Sequence, residues 1–556
     1  RVAMFFRIKK SGPRTYLQIV ENRWEGGGAR QRVMATLGRL EELKASGELD
    51  NLLRSGARFS ESVMVLGAHS KGEAPALASR RMGPSLVFER LWAESGCRAV
   101  IESLLAERKF EFPVERAIFL TVLHRLFDPG SDRAAEKWRG EYAIAGAQGL
   151  ELHHLYRAMA WLGEELSEEE QAGRTPFAPR CTKDLIEEYL FARRRDLFST
   201  LELVFFDTTS IYFEGRGGET IGRRGHSKDH RPDCPQMVVG AVLDGEGRPV
   251  CCELWPGNTA DVRTLLPIVE RLRKRFAIGQ VCIVADRGMI SQETIERLEK
   301  ASGLRYILGV RMRNQKEVRE EVLARAGRYQ VVHPKGQHSK APSPLAVKEV
   351  QLQGRRYVVC VNEDQAKKDV ADRDAIVAGL REQLKRGDKS LVGNQGYRKY
   401  LKTQGSRFVV DEEKTQAEAR FDGKWVLRTN TELPTAEIAL KYKQLWMVEQ
   451  LFRTTKSLLA TRPIFHKRDE TIRGHVFCSF LALILRKELQ ERLQRKGHAL
   501  EWADVVSDLD ALQEFDVQYQ HKHFLLRSEV KGTCGKVMQA MGVALPATVR
   551  QLAQEL

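Results

Sequence analysis

The pattern of apolar and polar positions changes period several times along the chain. Over residues 3–42 the two kinds alternate: Ala-Met-Phe-Phe-Arg-Ile-Lys from Ala3, Thr-Tyr-Leu-Gln-Ile-Val-Glu-Asn from Thr15, and Gln-Arg-Val-Met-Ala-Thr-Leu from Gln31. A period of two reads as strands, and Gly26-Gly27-Gly28 as a turn, so a small antiparallel meander is predicted. Residues 43–80 are looser and more polar. From about 82 to 200 the period becomes helical, as in Val114-Glu-Arg-Ala-Ile-Phe-Leu-Thr-Val-Leu-His-Arg-Leu-Phe127, which predicts an all-helical domain.

Residues 201–310 change again. Leu203-Val-Phe-Phe is an apolar run ending on Asp207, and residues 237–244 and 249–255 flank a Gly245-Glu-Gly247 turn as a hairpin. A helix is predicted over 261–276, with Asp261 in its first turn and Lys/Arg in its last. A buried strand, Val281-Cys-Ile-Val-Ala, then ends on Asp286, followed by a helix (292–301) and a strand (305–310). Three antiparallel strands, a helix, a strand, a helix and a strand is the order of a ribonuclease-H-like α/β core. Residues 311–433 are Lys/Arg-rich, with strand-like pieces and Pro/Gly turns. They read as a partly β insertion before a helix that starts at Thr435 and carries Glu449. Residues 470–556 are predicted to be helical, with the apolar stretch Val476 to Leu485 packed on the sheet. The expected organisation is 1–80 meander and linker, 81–200 helical and DNA-binding, 201–310 first part of the core, 311–433 insertion, and 434–556 second part of the core.

At 556 residues the chain has ample material for several domains. Its charge is +16, from 90 Lys+Arg against 74 Asp+Glu, which favours a polyanionic partner, nucleic acid first. The 9 cysteines form no CxxC pair, so neither a zinc framework nor a disulfide scaffold is expected. No apolar run is long enough to span a bilayer and no signal-peptide pattern opens the chain; a cytoplasmic protein with no membrane partner is expected.

The candidate chemistry lies in three acids. Asp207 and Asp286 each follow an apolar strand, the place where open α/β sheets put their ligands. In the core order above these strands are neighbours. Tyr442 and Lys456 each lie seven residues from Glu449 (449 − 442 = 7; 456 − 449 = 7), about two helical turns, so all three are expected on one helix face. Three converging carboxylates suit Mg²⁺ or Mn²⁺, and repel one another without it. Taken singly, each acid reads as well as a turn former, a helix cap or a solvated position. The basic loop holding Arg216, Arg223, Arg224, His226, Lys228 and Arg231 joins the first two core strands at the same edge. It reads as a clamp on DNA phosphates or as a solvated loop. Thr208, Thr209 and Ser210 read as hydrogen-bonding neighbours of Asp207, since no His base is paired with them.

These residues resemble the DDE transposases of bacterial insertion sequences, in the IS-four-like branch with a Tyr-x2-Arg-x3-Glu-x6-Lys signature. Tyr442, Glu449 and Lys456 match it, while Leu445 stands in place of the Arg. The likeness continues in Phe206-Asp-Thr-Thr-Ser210, Gly225-His-Ser-Lys-Asp-His-Arg-Pro-Asp233, Pro256-Gly-Asn-Thr-Ala-Asp261, Asp286-Arg-Gly-Met289 and Arg473-Gly-His-Val-Phe477, over roughly residues 200–490.

The resemblance implies that Asp207, Asp286 and Glu449 are the catalytic metal ligands, and that transposon ends are cut and joined to target DNA, often through hairpin ends. It also implies a homodimer holding two terminal inverted repeats of double-stranded DNA. Tyr442, Arg453 and Lys456 are then expected at the DNA backbone, with Arg453 standing in for the missing Arg. An extruded base would stack on an aromatic ring. Trp425, Trp446 and Trp255 are candidates, Trp446 reading more readily as core. A long separation of the second and third acids (449 − 286 = 163) fits an insertion-bearing member. Two other readings stand beside this one: a structure-selective nuclease on the same fold, and a DNA-binding derivative without catalysis.

Overall fold

The computed structural model describes residues 3–552 except 26–27, 58–59, 74–75, 173, 175–177, 195–201, 277, 279, 302, 335–341, 387–398 and 405–406. The chain divides into two compact units: residues 1–83 with 141–143 and 500–556, and residues 84–140 with 144–499.

In the first unit, Ala3–Ser11, Arg14–Glu25 and Gly28–Arg39 form an antiparallel sheet in that order. Gly26 and Gly27 of the predicted turn lie outside the described residues. The stretch read as loose carries three short helices, Leu40–Ala45, Glu48–Ala57 and Glu61–Ser70, and the strand Ala76–Arg81. That strand pairs with Gln513–Tyr519, which pairs with Lys522–Arg527, with Val549–Gln551 beyond. Residues 500–556, expected to be helical and part of the core, therefore hold three strands and cluster with 1–83 instead. The signal is local: Gln-Glu-Phe-Asp-Val-Gln-Tyr alternates with period two, and Gln520 and His521 form a two-residue turn at φ 48° and 64°. Val65, Ala68, Val517, Phe524 and Leu526 are its core.

The second unit is built on a nine-stranded sheet. Its spatial order is Gln330–His333, Leu345–Leu352, Arg355–Val361, Lys424–Thr429, Leu304–Gly309, Val281–Ala285, Glu202–Tyr212, Gln236–Asp244 and Pro249–Pro256. The last five run fifth, fourth, first, second, third in chain order. Glu202–Tyr212 is antiparallel to Gln236–Asp244 and parallel to Val281–Ala285. The inserted segment adds four strands to this same sheet, through Lys424–Thr429 pairing antiparallel with Leu304–Gly309. Leu401–Gln404 and Arg407–Val410 make a separate pair. Helices Leu265–Arg275 and Gln292–Lys300 bury their apolar stripes against the sheet, around Phe206, Trp255, Ile268, Leu272, Ile283 and Leu298.

The helices of the 84–194 stretch belong to this unit. Asp469–Arg495, buried along most of its length, packs on Val114–Phe127, Leu152–Leu162 and the edge strand Pro249–Pro256. Its expected seat is the sheet, but helices take most of its apolar surface. The approach to Leu152–Leu162 is close enough that a Cβ at Gly474 would sit 1.9 Å from the Met159 carbonyl oxygen. A buried ionic cluster fastens helix Thr182–Arg194 to the sheet edge: Arg271 donates to Asp184 (2.5 Å), Glu187 and Glu253 (3.0 Å), and Lys183 donates to Asp184 and to the Cys252 carbonyl, both at 2.9 Å. Among the described residues no helix is long and apolar enough to cross a membrane.

Candidate active site

Asp207 and Asp286 are brought together by strand register. Phe206 pairs with Ala285 across the parallel strands, so the two acids are the next residues on each. Asp286 lies just past its strand, where the sequence reading puts it. Asp207 does not: its strand continues to Tyr212, because Thr208 to Tyr212 keep pairing with Gln236 to Gly240. Asp207 is half-buried, and its carboxylate accepts the Thr208 N–H at 2.7 Å. Burial, with the charges of Asp286 and Asp261, pushes its pKa up to about 6; Lys228 and the Thr208 N–H pull the other way.

Asp286 heads the short turn Arg287–Met289, but its side chain makes no capping bond. Its Oδ1 accepts from the Tyr442 hydroxyl at 2.8 Å instead, and burial together with Asp286 drives the Tyr442 pKa up. The Tyr442 ring reaches this point because residue 309 is glycine. A Cβ there would lie 2.3 Å from the Tyr442 hydroxyl oxygen.

Glu449 does not share one continuous helix with Tyr442 and Lys456. Thr435–Lys443 ends, and Trp446–Arg453 begins, across a tightened turn in which Leu445, Met447 and Val448 bond three residues back. Thr454–Leu458 then unwinds into a π-helix. The seven-residue spacing therefore does not set one face. Tyr442 and Glu449 still line the same cleft of about 490 Å³, with Asp286, Arg287, Lys424, Trp425 and Trp446. Helix Trp446–Arg453 packs against the Asp207 strand. Lys456 goes elsewhere: 12% exposed, it donates to Asp229 at 2.7 Å, as does Arg462.

The basic loop divides by environment. Arg223, Arg224 and His226 are exposed, with the Arg223 guanidinium on the carbonyls of Gly222 and Glu219. Arg231 is paired with Asp233 at 2.9 Å and lies over the Tyr212 ring. Lys228 is exposed as well, but its ammonium is engaged, donating to the Thr208 carbonyl and hydroxyl, both at 2.8 Å, and standing 3.0 Å from Asp261. Thr208 Oγ1 also bonds Asp261 at 2.8 Å. Asp261 thus joins the acidic group; the sequence reading takes it as a helix start and as the end of the Pro256-Gly-Asn-Thr-Ala-Asp261 motif, with no role in the site. The clue is Pro256-Gly-Asn-Thr-Ala, which turns the chain back toward the Asp207 strand. Arg453 is exposed. Leu445 is buried in the cleft wall. Trp255 is core at 1% exposure, whereas Trp446, read as core, is 56% exposed.

The donor set fits a hard divalent cation. All three candidate ligands are carboxylates, the oxygen donors such an ion takes.

Asp207 and Asp286 thus stand side by side at the sheet edge, with Glu449 on the cleft that Asp286 lines; among the described residues the three do not close into a group tight enough to share one ion. Comparison with protein families supplies the class: the transposase DDE domain model matches residues 199–485, just over half the chain, and the protein belongs to that family. The N-terminal domain model of the IS1634 family transposases matches residues 6–68, which indicates that family rather than the IS-four-like branch expected from Tyr442, Glu449 and Lys456. No curated protein matches the chain. A DDE transposase acts on DNA and depends on divalent metal.

Proposed function

We propose that the cleft cuts and joins DNA strands, with Asp207, Asp286 and Glu449 as the catalytic, metal-binding carboxylates of a ribonuclease-H-like core. The observation that carries this reading is the parallel register that sets Asp207 beside Asp286, with Glu449 on the cleft that Asp286 lines. The strand order of the five core strands supports the fold assignment. Mg²⁺ or Mn²⁺, when bound, would activate water or a 3′-hydroxyl and stabilise the leaving oxygen.

The chain's own groups orient the site. Tyr442 fixes the Asp286 carboxylate, Gly309 makes room for that ring, and Lys228 balances Asp207 and Asp261. Arg223, Arg224, His226 and Arg453 are free to meet DNA phosphates, and Arg231 reaches them by exchanging Asp233. Lys456 acts with Arg462 through Asp229, which anchors the basic loop. Trp425 and Trp446 offer faces for an unstacked base, as a hairpin route requires. Residues 1–80 and the helices of 81–200 read the transposon ends. Two copies hold two ends, in the bacterial cytoplasm.

The test is a linear substrate carrying the inverted repeats that flank the gene, incubated with protein and Mg²⁺. Nicks confined to the repeat termini, then strand transfer, are expected. Equal cutting of repeat-free DNA would make the protein a nuclease instead. Binding of the repeats with no metal-dependent cutting would make it a non-catalytic derivative.

A further inference from the structure

We propose that Asp132, His466 and His475 form a second metal site, separate from the carboxylate cleft, for a borderline divalent ion of the zinc class. The three come from distant parts of one unit: Asp132 opens helix Asp132–Trp138, His466 lies in the segment before the long helix, and His475 is in helix Asp469–Arg495. His466 Nε2 is 3.2 Å from Asp132 Oδ2 and 3.0 Å from His475 Nδ1, and the ligand atoms all lie within 4.8 Å of one another. Zinc with bonds of about 2.0–2.1 Å holds tetrahedral ligands about 3.3 Å apart, so little movement is needed. Two imidazoles and one carboxylate select zinc, cobalt or nickel over magnesium.

The surroundings orient these donors as metal ligands are usually oriented. His475 Nε2 faces the Thr461 carbonyl at 3.2 Å; an N–H there leaves the Nδ1 lone pair for the ion. His466 is steadied edge-on by Tyr156, with centroids 5.5 Å apart. Asp132 is 6% exposed, and its Oδ1 has no hydrogen-bond partner.

Arg125 is the opposing charge. Its Nη2 lies 2.8 Å from His475 Nδ1 and 3.5 Å from Asp132 Oδ1. When an ion takes Nδ1, the guanidinium has that unsatisfied oxygen to bond, a carboxylate–arginine pair behind the ligand. Arg462, Lys467 and Arg468 on the surrounding cavity of about 530 Å³ add positive charge. The cavity also leaves the fourth position open to water. The bound ion would pin the segment after the Glu449 helix to the helices of the 84–194 stretch. His475 belongs to the Arg473-Gly-His-Val-Phe477 motif, to which the DNA chemistry gives no role.

The inference does not rest on the cleft reading, and its test keeps the two apart. The full chain carrying Asp207→Asn and Glu449→Gln is stripped with chelator, loaded with Zn²⁺ in excess Mg²⁺, desalted and assayed for metal. About one zinc per chain is expected, with a higher Tm. Co²⁺ should give the visible absorption of a tetrahedral N,O site. His466→Asn, at a partly exposed position, should lose the zinc, the Tm gain and the cobalt band while its circular dichroism stays unchanged. Asp132→Asn serves as the second variant should His466→Asn not fold. A chain that keeps no zinc after desalting would overturn the proposal, and so would a folded variant that keeps as much as its parent.

Discussion

Among single residues, Asp286 and Asp207 are held in different ways, one by a tyrosine hydroxyl and the other by a backbone N–H. Tyr442 donates to Asp286 from a partly buried position. Removing that hydroxyl leaves the carboxylate free to rotate, and hydrogen bonds to charged groups contribute about 1.5–3 kcal/mol. Tyr442→Phe should therefore slow strand cleavage about ten- to hundredfold in a single-turnover assay, with little change in Tm.

Asp207 makes a pH-dependent claim with a definite sign. Its folded pKa, about 6 without metal, is above the unfolded value of about 3.9. A raised carboxylate pKa favours the protonated folded state, so its contribution is fully present below about pH 4 and is lost as pH rises through about 6. The metal-free protein should lose up to about 3 kcal/mol from this group over that window. Asp207→Asn should flatten that part of the Tm-against-pH curve and, at pH 7.5 or so, be more stable than the parent without metal. Mg²⁺ should reverse the order.

Between elements, fit depends on small residues at crossings. Gly474 lets helix Asp469–Arg495 meet the backbone of helix Leu152–Leu162 at Met159. Gly474→Ala should lower stability by about 1–3 kcal/mol, read as a drop in urea midpoint, since neither backbone can yield cheaply. The same scale explains what the sequence could and could not disclose. The Asp286 strand and the first half of the Asp207 strand are legible because each is a short apolar run followed by an acid, and parallel neighbours buried on both faces need such runs. The end of the Asp207 strand is not, since Thr208, Thr209 and Ser210 look like turn formers until their pairing with Gly240, Val239 and Val238 is known. The break at Gln444 and Leu445 was also hidden. Neither residue is a helix breaker, and Leu445 at the tightened turn is buried in the cleft wall. In the inserted segment Gln330–His333, Leu345–Leu352, Arg355–Val361 and Arg407–Val410 fall in or overlap the pieces read as strand-like, whereas the helix Glu363–Arg386 and the strand Lys424–Thr429 are not anticipated, and nothing local says that the latter would dock on Leu304–Gly309. The hairpin at Gln520 and His521 was there to be read and lacks only the usual Asn-Gly signal.

For the molecule as a whole, the excess of 16 positive charges matters through where the cations are left unpaired. Arg224 and Arg453 are exposed, whereas Lys456 is bound to Asp229. Plots of log K against log salt for end DNA should fall in slope by about 0.9 for Arg224→Ala and for Arg453→Ala. For Lys456→Ala a smaller slope change is expected, with a loss of stability from the weakened hold on a buried carboxylate.

The central claim is that Asp207, Asp286 and Glu449 act as one set, and the most direct measurement is Mg²⁺-dependent single-turnover cleavage of end DNA by Asp207→Asn, Asp286→Asn and Glu449→Gln, each alone. Each should cut about a thousandfold more slowly or not at all while binding the ends as tightly as the parent. Any one of them cutting at close to the parent rate would contradict the account.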